Sequence, residues 1–223
     1  MTLLTGKRVV DLTRVLQPGE ERFKLNIHTF SVNELLPDFP VPEGEWYILQ
    51  EWEMSSHIGT HVEAPYHHLR EGADVSRLSL ERVMGEAVVL DFCYKKAGEA
   101  IELGEMEAAE PTPQPGDIVL IHTGFDRLYG SPDYDRPHLS LAAIRWLVER
   151  GIACLGIDAS GIEKYKAAEQ PGHLMLFEHG IPVVEELTRL EQLRRQRVFF
   201  MALPLPICGA DSCPVRAIAI EEA

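Results

Sequence analysis

Short runs of branched apolar residues alternating with helical patterns constrain this 223-residue chain more than any other feature. The clearest helix covers residues 140–150. Ser140 can cap it, Leu141, Ile144, Leu147 and Val148 recur at helical spacing, and Gly151 ends it. A strand pattern follows at 153–158, so this stretch reads as a helix followed by a strand. Further strands are expected at 9–12, 46–54, 87–91, 117–121, 181–184, 198–203 and 215–220, with helices at 76–83, 103–109 and around 173–177. Residues 17–45, rich in Pro, Gly and Glu, read as a long irregular segment of the kind that forms lids or binding walls. Strands alternating with helices make the fold α/β, or α+β, with a curled central sheet flanked by helices. No break in composition divides the chain, so residues 1–223 are expected to form one domain.

Within this frame, residues 57–67 carry the chemistry. They read His-Ile-Gly-Thr-His-Val-Glu-Ala-Pro-Tyr-His. His57, His61, Glu63 and His67 share one parity, and alternate side chains of an extended segment share a face. Imidazole nitrogens and a carboxylate oxygen suit Zn²⁺ or Mn²⁺. A straight strand would nonetheless hold His57 and His61 about 13 Å apart, too far to share one ion. A helix is opposed by Gly59, Thr60, Val62 and Pro65. A bend at Gly59 is therefore expected, and two ions sharing a carboxylate would also fit.

Composition limits the alternatives. The net charge is −14 and Lys and Arg never cluster, which argues against a nucleic-acid partner. No apolar run approaches the ~20 residues of a membrane span, and no leader pattern opens the chain, so a cytoplasmic location is expected. The four cysteines, at 93, 154, 208 and 213, form no CxxC pair and read as free thiols. Cys93 and Cys154 lie in apolar runs and read as small buried residues.

The motif His57-x-Gly59-Thr60-His61-x-Glu63-x-Pro65-x-His67 resembles the HxGTHxDxPxH signature of the metal-dependent cyclase superfamily, which includes bacterial kynurenine formamidases (arylformamidases) and isatin hydrolases. Thr123-Gly124, Leu139-Ser140, Leu155-Gly156-Ile157-Asp158, His173, Gly180-Ile181, Glu185 and Pro214-Val215-Arg216 follow in the family's order, so the resemblance spans roughly the whole chain. It implies a swivelling β/β/α fold, assembly as a homodimer or homotetramer, and a small-molecule substrate. His57, His61, Glu63, His173 and Glu185 are then the ligands of one or two divalent ions, and His67 is the catalytic acid/base. Glu63 stands where the signature has Asp, and Ser212-Cys213-Pro214 where the family often has Gly-Ser-Pro. The opening segment also lacks the Trp-Pro-Gly-Asp type of stretch associated with kynurenine formamidases.

The implied activity is hydrolysis of an amide-type C–N bond by a metal-activated water. Arylformamidase-like cleavage of an N-formyl aromatic amine comes first. Opening of a lactam or cyclic imide is the alternative, and a metal-binding non-enzyme on the same scaffold the reading from another class. Blander roles stand beside each assignment. His68 competes with His67, and His173 could be a capping residue. Glu186 and Glu178 compete with Glu185. Tyr66, Trp46, Trp52 and Phe23 could line a pocket or pack in a core. Arg216 could hold a carboxylate or form a structural ion pair. His28, His122, His138 and His179 receive no role.

Overall fold

The computed structural model describes residues 5–131 and 135–223. Its main sheet draws nine strands from the whole chain: β1 (Lys7–Asp11), β4 (His61–Glu63), β5 (Met84–Asp91), β7 (Ile118–His122), β9 (Cys154–Ile157), β10 (Val183–Glu185), β11 (Arg197–Leu203), β12 (Ser212–Pro214) and β13 (Arg216–Glu222). The spatial order is β1-β13-β11-β5-β7-β9-β10-β4-β12. Strands β5, β7, β9 and β10 run parallel, and the remaining pairings are antiparallel. Two-stranded sheets are formed by β2 (Leu25–Ser31) with β3 (Ile48–Met54) and by β6 (Ala100–Ile101) with β8 (His138–Leu139).

Connectivity explains why the main sheet curls. Only Val215 separates β12 from β13, yet these strands lie at or next to opposite ends of the sheet order. The two ends must approach each other. The Val215 amide donates to Thr60 O at 3.0 Å, tying the junction to the segment before β4. The result is a strongly curled half-barrel.

Both faces of the sheet are apolar, as expected for buried parallel strands. On one face, Val88, Leu90, Val119, Ile121, Leu155, Ile157 and Val183 meet the helices α3 (Leu103–Ala108), α4 (Leu141–Glu149) and α5 (Pro171–Glu178). The alternate residues Ala87, Val89, Ile118, Leu120, Cys154 and Val184 turn inward. There they meet Val10, Val62, Phe200, Ala217 and Ala219 from the other strands. Curling thus lets the sheet cover its own second face.

Helix α4 matches its sequence pattern. Ser140 Oγ accepts from the Ala143 amide at 3.3 Å, and Gly151 follows the helix at φ +70°. Its buried face is Ala143, Ile144 and Leu147, whereas Leu141 is 39% exposed. The first turn of the stripe therefore overhangs the core edge. The segment 17–45 is more ordered than its composition suggests. It contains β2 and the single-turn helix α1 (Val32–Leu35), opened by a Ser31/Glu34 capping box. The expected 76–83 helix is divided into a 3₁₀ turn at Val75–Arg77 and α2 (Leu80–Val83). Among the described residues, no helix is long and apolar enough to cross a membrane.

Candidate metal centre

Strand β4 is the floor of the site. It lies between β10 and β12, with Glu185 opposite His61 and Ser212 opposite Glu63. Strand alternation sends Val62 into the inner core and leaves His61 and Glu63 together on the other face. The same register brings Glu185 beside them. One pairing thus assembles three of the polar groups.

The other two motif histidines arrive by different routes. Gly59 takes φ +57°, and a Cβ there would lie 2.4 Å from Leu16 Cδ2, so both conformation and space require glycine. This bend brings the His57 and His61 rings to 5.0 Å between centroids. The 3₁₀ turn Pro65–His67 then swings His67 back toward His57, with ring centroids 4.4 Å apart. Shared parity on one strand therefore holds only for His61 and Glu63.

The fourth imidazole comes from α5. Gly172 lets that helix approach closely, since a Cβ there would lie 2.4 Å from Ile144 Cδ1 and 2.8 Å from Glu163 Oε1. The Glu163 carboxylate accepts from the His173 amide at 2.9 Å and from its Nδ1 at 2.6 Å. His173 is thus held in both backbone and ring.

All four rings follow one rule. One nitrogen is fixed by an outer acceptor, and the other faces Glu63. His61 Nδ1 donates to Gly59 O at 2.7 Å, leaving Nε2 at 3.5 Å from Glu63 Oε1. His173 Nε2 lies 3.2 Å from Glu63 Oε2 and 3.3 Å from Glu185 Oε1. His57 pairs through Nε2 with Asp211 Oδ2 at 2.8 Å and through Nδ1 with Glu63 Oε1 at 2.9 Å. His67 pairs through Nδ1 with the same Asp211 oxygen at 3.0 Å, and its Nε2 is 4.0 Å from Glu63 Oε1. Outer acceptors of this kind set the tautomer and aim of metal-binding imidazoles.

The electrostatics of the centre invite a cation. Burial alone would raise the Glu63 pKa, but contacts from His173, His57 and His61 hold it well below the usual carboxylate value. Burial alone would depress the imidazoles, yet the carboxylates win. His57 rises to about 9 through Glu63 and Asp211, and His61 and His173 also rise. Asp211 falls to about 2, because its bonds to the histidines outweigh its burial. Protons on the rings here balance charge that a divalent ion would balance better.

The donor set fits such an ion. His61 Nε2 and Glu63 Oε2 are buried without a hydrogen-bond partner; His173 Nε2, although near the latter, is not directed along a bond. Orphaned buried polar atoms of this kind call for an explanation. Within this centre, two groups have donor atoms within 4.8 Å of one another: His57, Glu63 and His67, and His61, Glu63 and Glu185. Glu63 is common to both.

The competing residues separate clearly. Glu186, at φ +57°, lines the cleft but pairs with Arg14 at 3.1 Å, while Glu178 is exposed. His68 stacks on His173 at 5.3 Å, and burial with the charge of His173 lowers its pKa. Arg216 is an ion-pair partner of Asp11, at 2.7 Å. Of the four candidate pocket aromatics, Phe23 lines the cleft beside the centre, together with Arg22, Tyr129 and Ser160. Trp46 and Trp52 lie exposed at the β2–β3 hairpin, and Tyr66 is partly exposed. Cys93 is exposed rather than buried, while Cys154 is buried as expected.

Sequence reasoning missed Asp211 and Glu163. Asp211 immediately precedes β12, whose neighbour is β4, so a recognised β4–β12 pairing would have placed it. Glu163 carries no local signature.

Residues 10–164 match the family model described as "Putative cyclase". The chain belongs to the cyclase family. A kynurenine formamidase of Bacillus thuringiensis (strain Al Hakam) is 30% identical over 167 residues, covering 74% of this chain and 76% of that protein. A kynurenine formamidase of Erythrobacter litoralis (strain HTCC2594) is 25% identical, covering 96% and 94%. Among solved structures, an isatin hydrolase bound to the product analogue thioisatinate superposes with a TM-score of 0.84 at 21% identity, covering 98% of this chain and 94% of that one. At that identity the likeness concerns the fold.

Proposed function

We propose that this cyclase-family chain is a metal-dependent hydrolase of amide-type C–N bonds, with an N-formyl aromatic amine as its first-choice substrate class. The observation that carries the reading is the aim of four imidazoles at one buried carboxylate, in a chain 30% identical to a kynurenine formamidase. His57, His61, Glu63, His173 and Glu185 are the proposed ligands of one or two Zn²⁺ or Mn²⁺ ions. When bound, such an ion acidifies water and polarises a carbonyl oxygen.

His67 is the proposed acid/base. Its side chain is 28% exposed, against 4% for His61 and His173, so it stands where the centre opens to the cleft. Its Nε2 takes a proton from the attacking water and returns it to the leaving nitrogen, which departs as a neutral amine. Asp211 accepts from Nδ1 throughout, so Nε2 is the nitrogen that exchanges the proton. Phe23 and Tyr129 offer flat surfaces in the cleft for an aromatic substrate.

The reading treats residues 1–223 as one domain in a cytoplasmic homodimer or homotetramer. Pairing of β1 with β13 supports the first part, and four free cysteines support the location. The exposed apolar side chains of the β2–β3 hairpin, Ile27, Ile48, Leu49, Trp52 and Met54, support assembly.

A panel of N-formylkynurenine, isatin and small cyclic imides tests the substrate class with metal-loaded protein. Release of formate from the first, with the ring compounds left intact, is the expected result. Ring opening alone would transfer the activity to lactams or imides. Bound metal with no turnover on any member would refute the enzyme reading.

A further inference from the structure

Outside the candidate centre, a second group of mixed donors stands at the ends of β5 and β7. Asp91 and His122 are register partners in that parallel pair. Cys93 follows two residues after Asp91. One donor atom from each of the three lies within 4.8 Å of the others.

The backbone holds this arrangement firmly. Between Asp91, the last residue of β5, and Cys93, Phe92 is buried, and its amide donates to His122 O at 2.8 Å. The Cys93 amide donates to Asp91 Oδ1 at 2.9 Å, closing the turn. Cys93 Sγ then lies 3.4 Å from His122 Nε2. Bonds of ~2.3 Å to sulfur and ~2.1 Å to nitrogen at a tetrahedral ion separate those atoms by roughly 3.6 Å.

We propose that Asp91, Cys93 and His122 form a second metal site, separate from the His/Glu centre, that takes Zn²⁺ or a similarly thiophilic divalent ion. Thiolate, imidazole and carboxylate are all established zinc donors, and three of them leave a fourth position for water. Asp158 adds negative charge, with Oδ2 at 4.0 Å from His122 Nε2. Its oxygens are already engaged by the Thr123 hydroxyl and the Thr123 and Gly124 amides, so it acts at a distance. Arg127 is the opposing cation, its Nη1 lying near the Gly124 turn. A nucleophilic role for the thiol fits poorly. Burial and the Asp91 carboxylate push Cys93 up to about 12, so without a cation it stays protonated.

The two sites are spaced along one sheet edge. β7 is two strands from β10, about 10 Å at ordinary strand spacing, and no ligand is shared.

Cobalt(II) distinguishes them, because the His/Glu centre contains no thiol. Titrating metal-free full-length protein with Co²⁺ should produce thiolate-to-cobalt charge-transfer absorption. That absorption should vanish in Cys93→Ser and in His122→Ala, and persist in Cys208→Ser and in His61→Ala. Circular dichroism verifies that each variant is folded. Absence of the band in the unmodified protein, or its survival in Cys93→Ser, would overturn the site. Loss of the band in His61→Ala would overturn its separateness.

Discussion

Strand β4 and the β2–β3 hairpin are both short β-structures, but they occupy opposite environments. Every residue of β4 is buried, and it is paired on both sides. A one-residue slip there would drive His61 and Glu63 into the apolar interior and expel Val62, so its register is strongly specified. All seven residues of β3 are exposed, and the hairpin pairs with nothing else among the described strands. The contrast is one of consequence. Errors in β4 should destroy a site, whereas changes in the hairpin should leave the rest of the chain folded.

Perturbing the floor should have the largest effect. In His61→Ala, the metal of the His/Glu centre and hydrolysis should be lost together; elemental analysis in a Cys93→Ser background, which removes the other proposed site, provides the check. Retention of stoichiometric metal in the His/Glu centre would remove His61 from the ligand set. His67→Ala should lose ~10²–10⁴-fold in rate while keeping its metal. A mutant with full turnover on a confirmed substrate would end the acid/base assignment. Asp211→Asn should be milder, with a ~10–100-fold loss of activity or metal affinity, as for other groups that orient ligands. Because Asp211 holds two rings, its pH–rate profile should shift as well. An unchanged profile would limit Asp211 to packing.

Acidity offers a finer probe of the same floor. In metal-free protein, the His57 value rises from 6.5 to about 9, since Glu63 and Asp211 outweigh the opposing effect of burial. The folded value lies above the unfolded one. Its contribution is therefore complete below pH 6.5 and disappears as pH rises through about 9, by roughly 3 kcal/mol. Urea unfolding of chelated protein at the two ends of this window measures it. The loss should shrink in His57→Asn, and an equal loss in both proteins would assign the effect elsewhere.

The floor was legible because its residues are chemically rare and closely spaced. His57, His61, Glu63, His67, His173 and Glu185 do converge, yet parity explains only His61 and Glu63. Gly59 and the turn at Pro65 bring in His57 and His67, α5 supplies His173 and β10 supplies Glu185, and of the two bends only the first was foreseeable from backbone freedom. Asp211 was hidden because its role depends on β12, three residues too short to produce a periodic signal. The curl was expected, but its cause, the single-residue link at Val215, depends on sheet order that sequence does not display. Of the hairpin, β3 was expected at 46–54, and β2 was missed for the opposite reason. β2 lies in a stretch dominated by Pro, Gly and Glu, and an exposed ribbon needs no clean apolar alternation.

The smallest effect on folding, and the sharpest test of the contrast, lies on the hairpin itself. A two-stranded ribbon is marginal in water, and this one exposes Ile27 and Met54, with Trp52 at 64% and neighbouring Trp46 at 79%. Burial against another copy of the chain would stabilise both the ribbon and those side chains. Trp52→Ser should then change unfolding of the rest of the chain by no more than about 0.5 kcal/mol, as for other exposed positions. It should nevertheless weaken assembly measured by sedimentation equilibrium. If the unmodified protein sediments as a monomer, or the variant assembles equally well, the hairpin is not the contact. If Trp52→Ser instead unfolds the chain cooperatively, the hairpin contributes to the monomer core, and its contrast with β4 disappears.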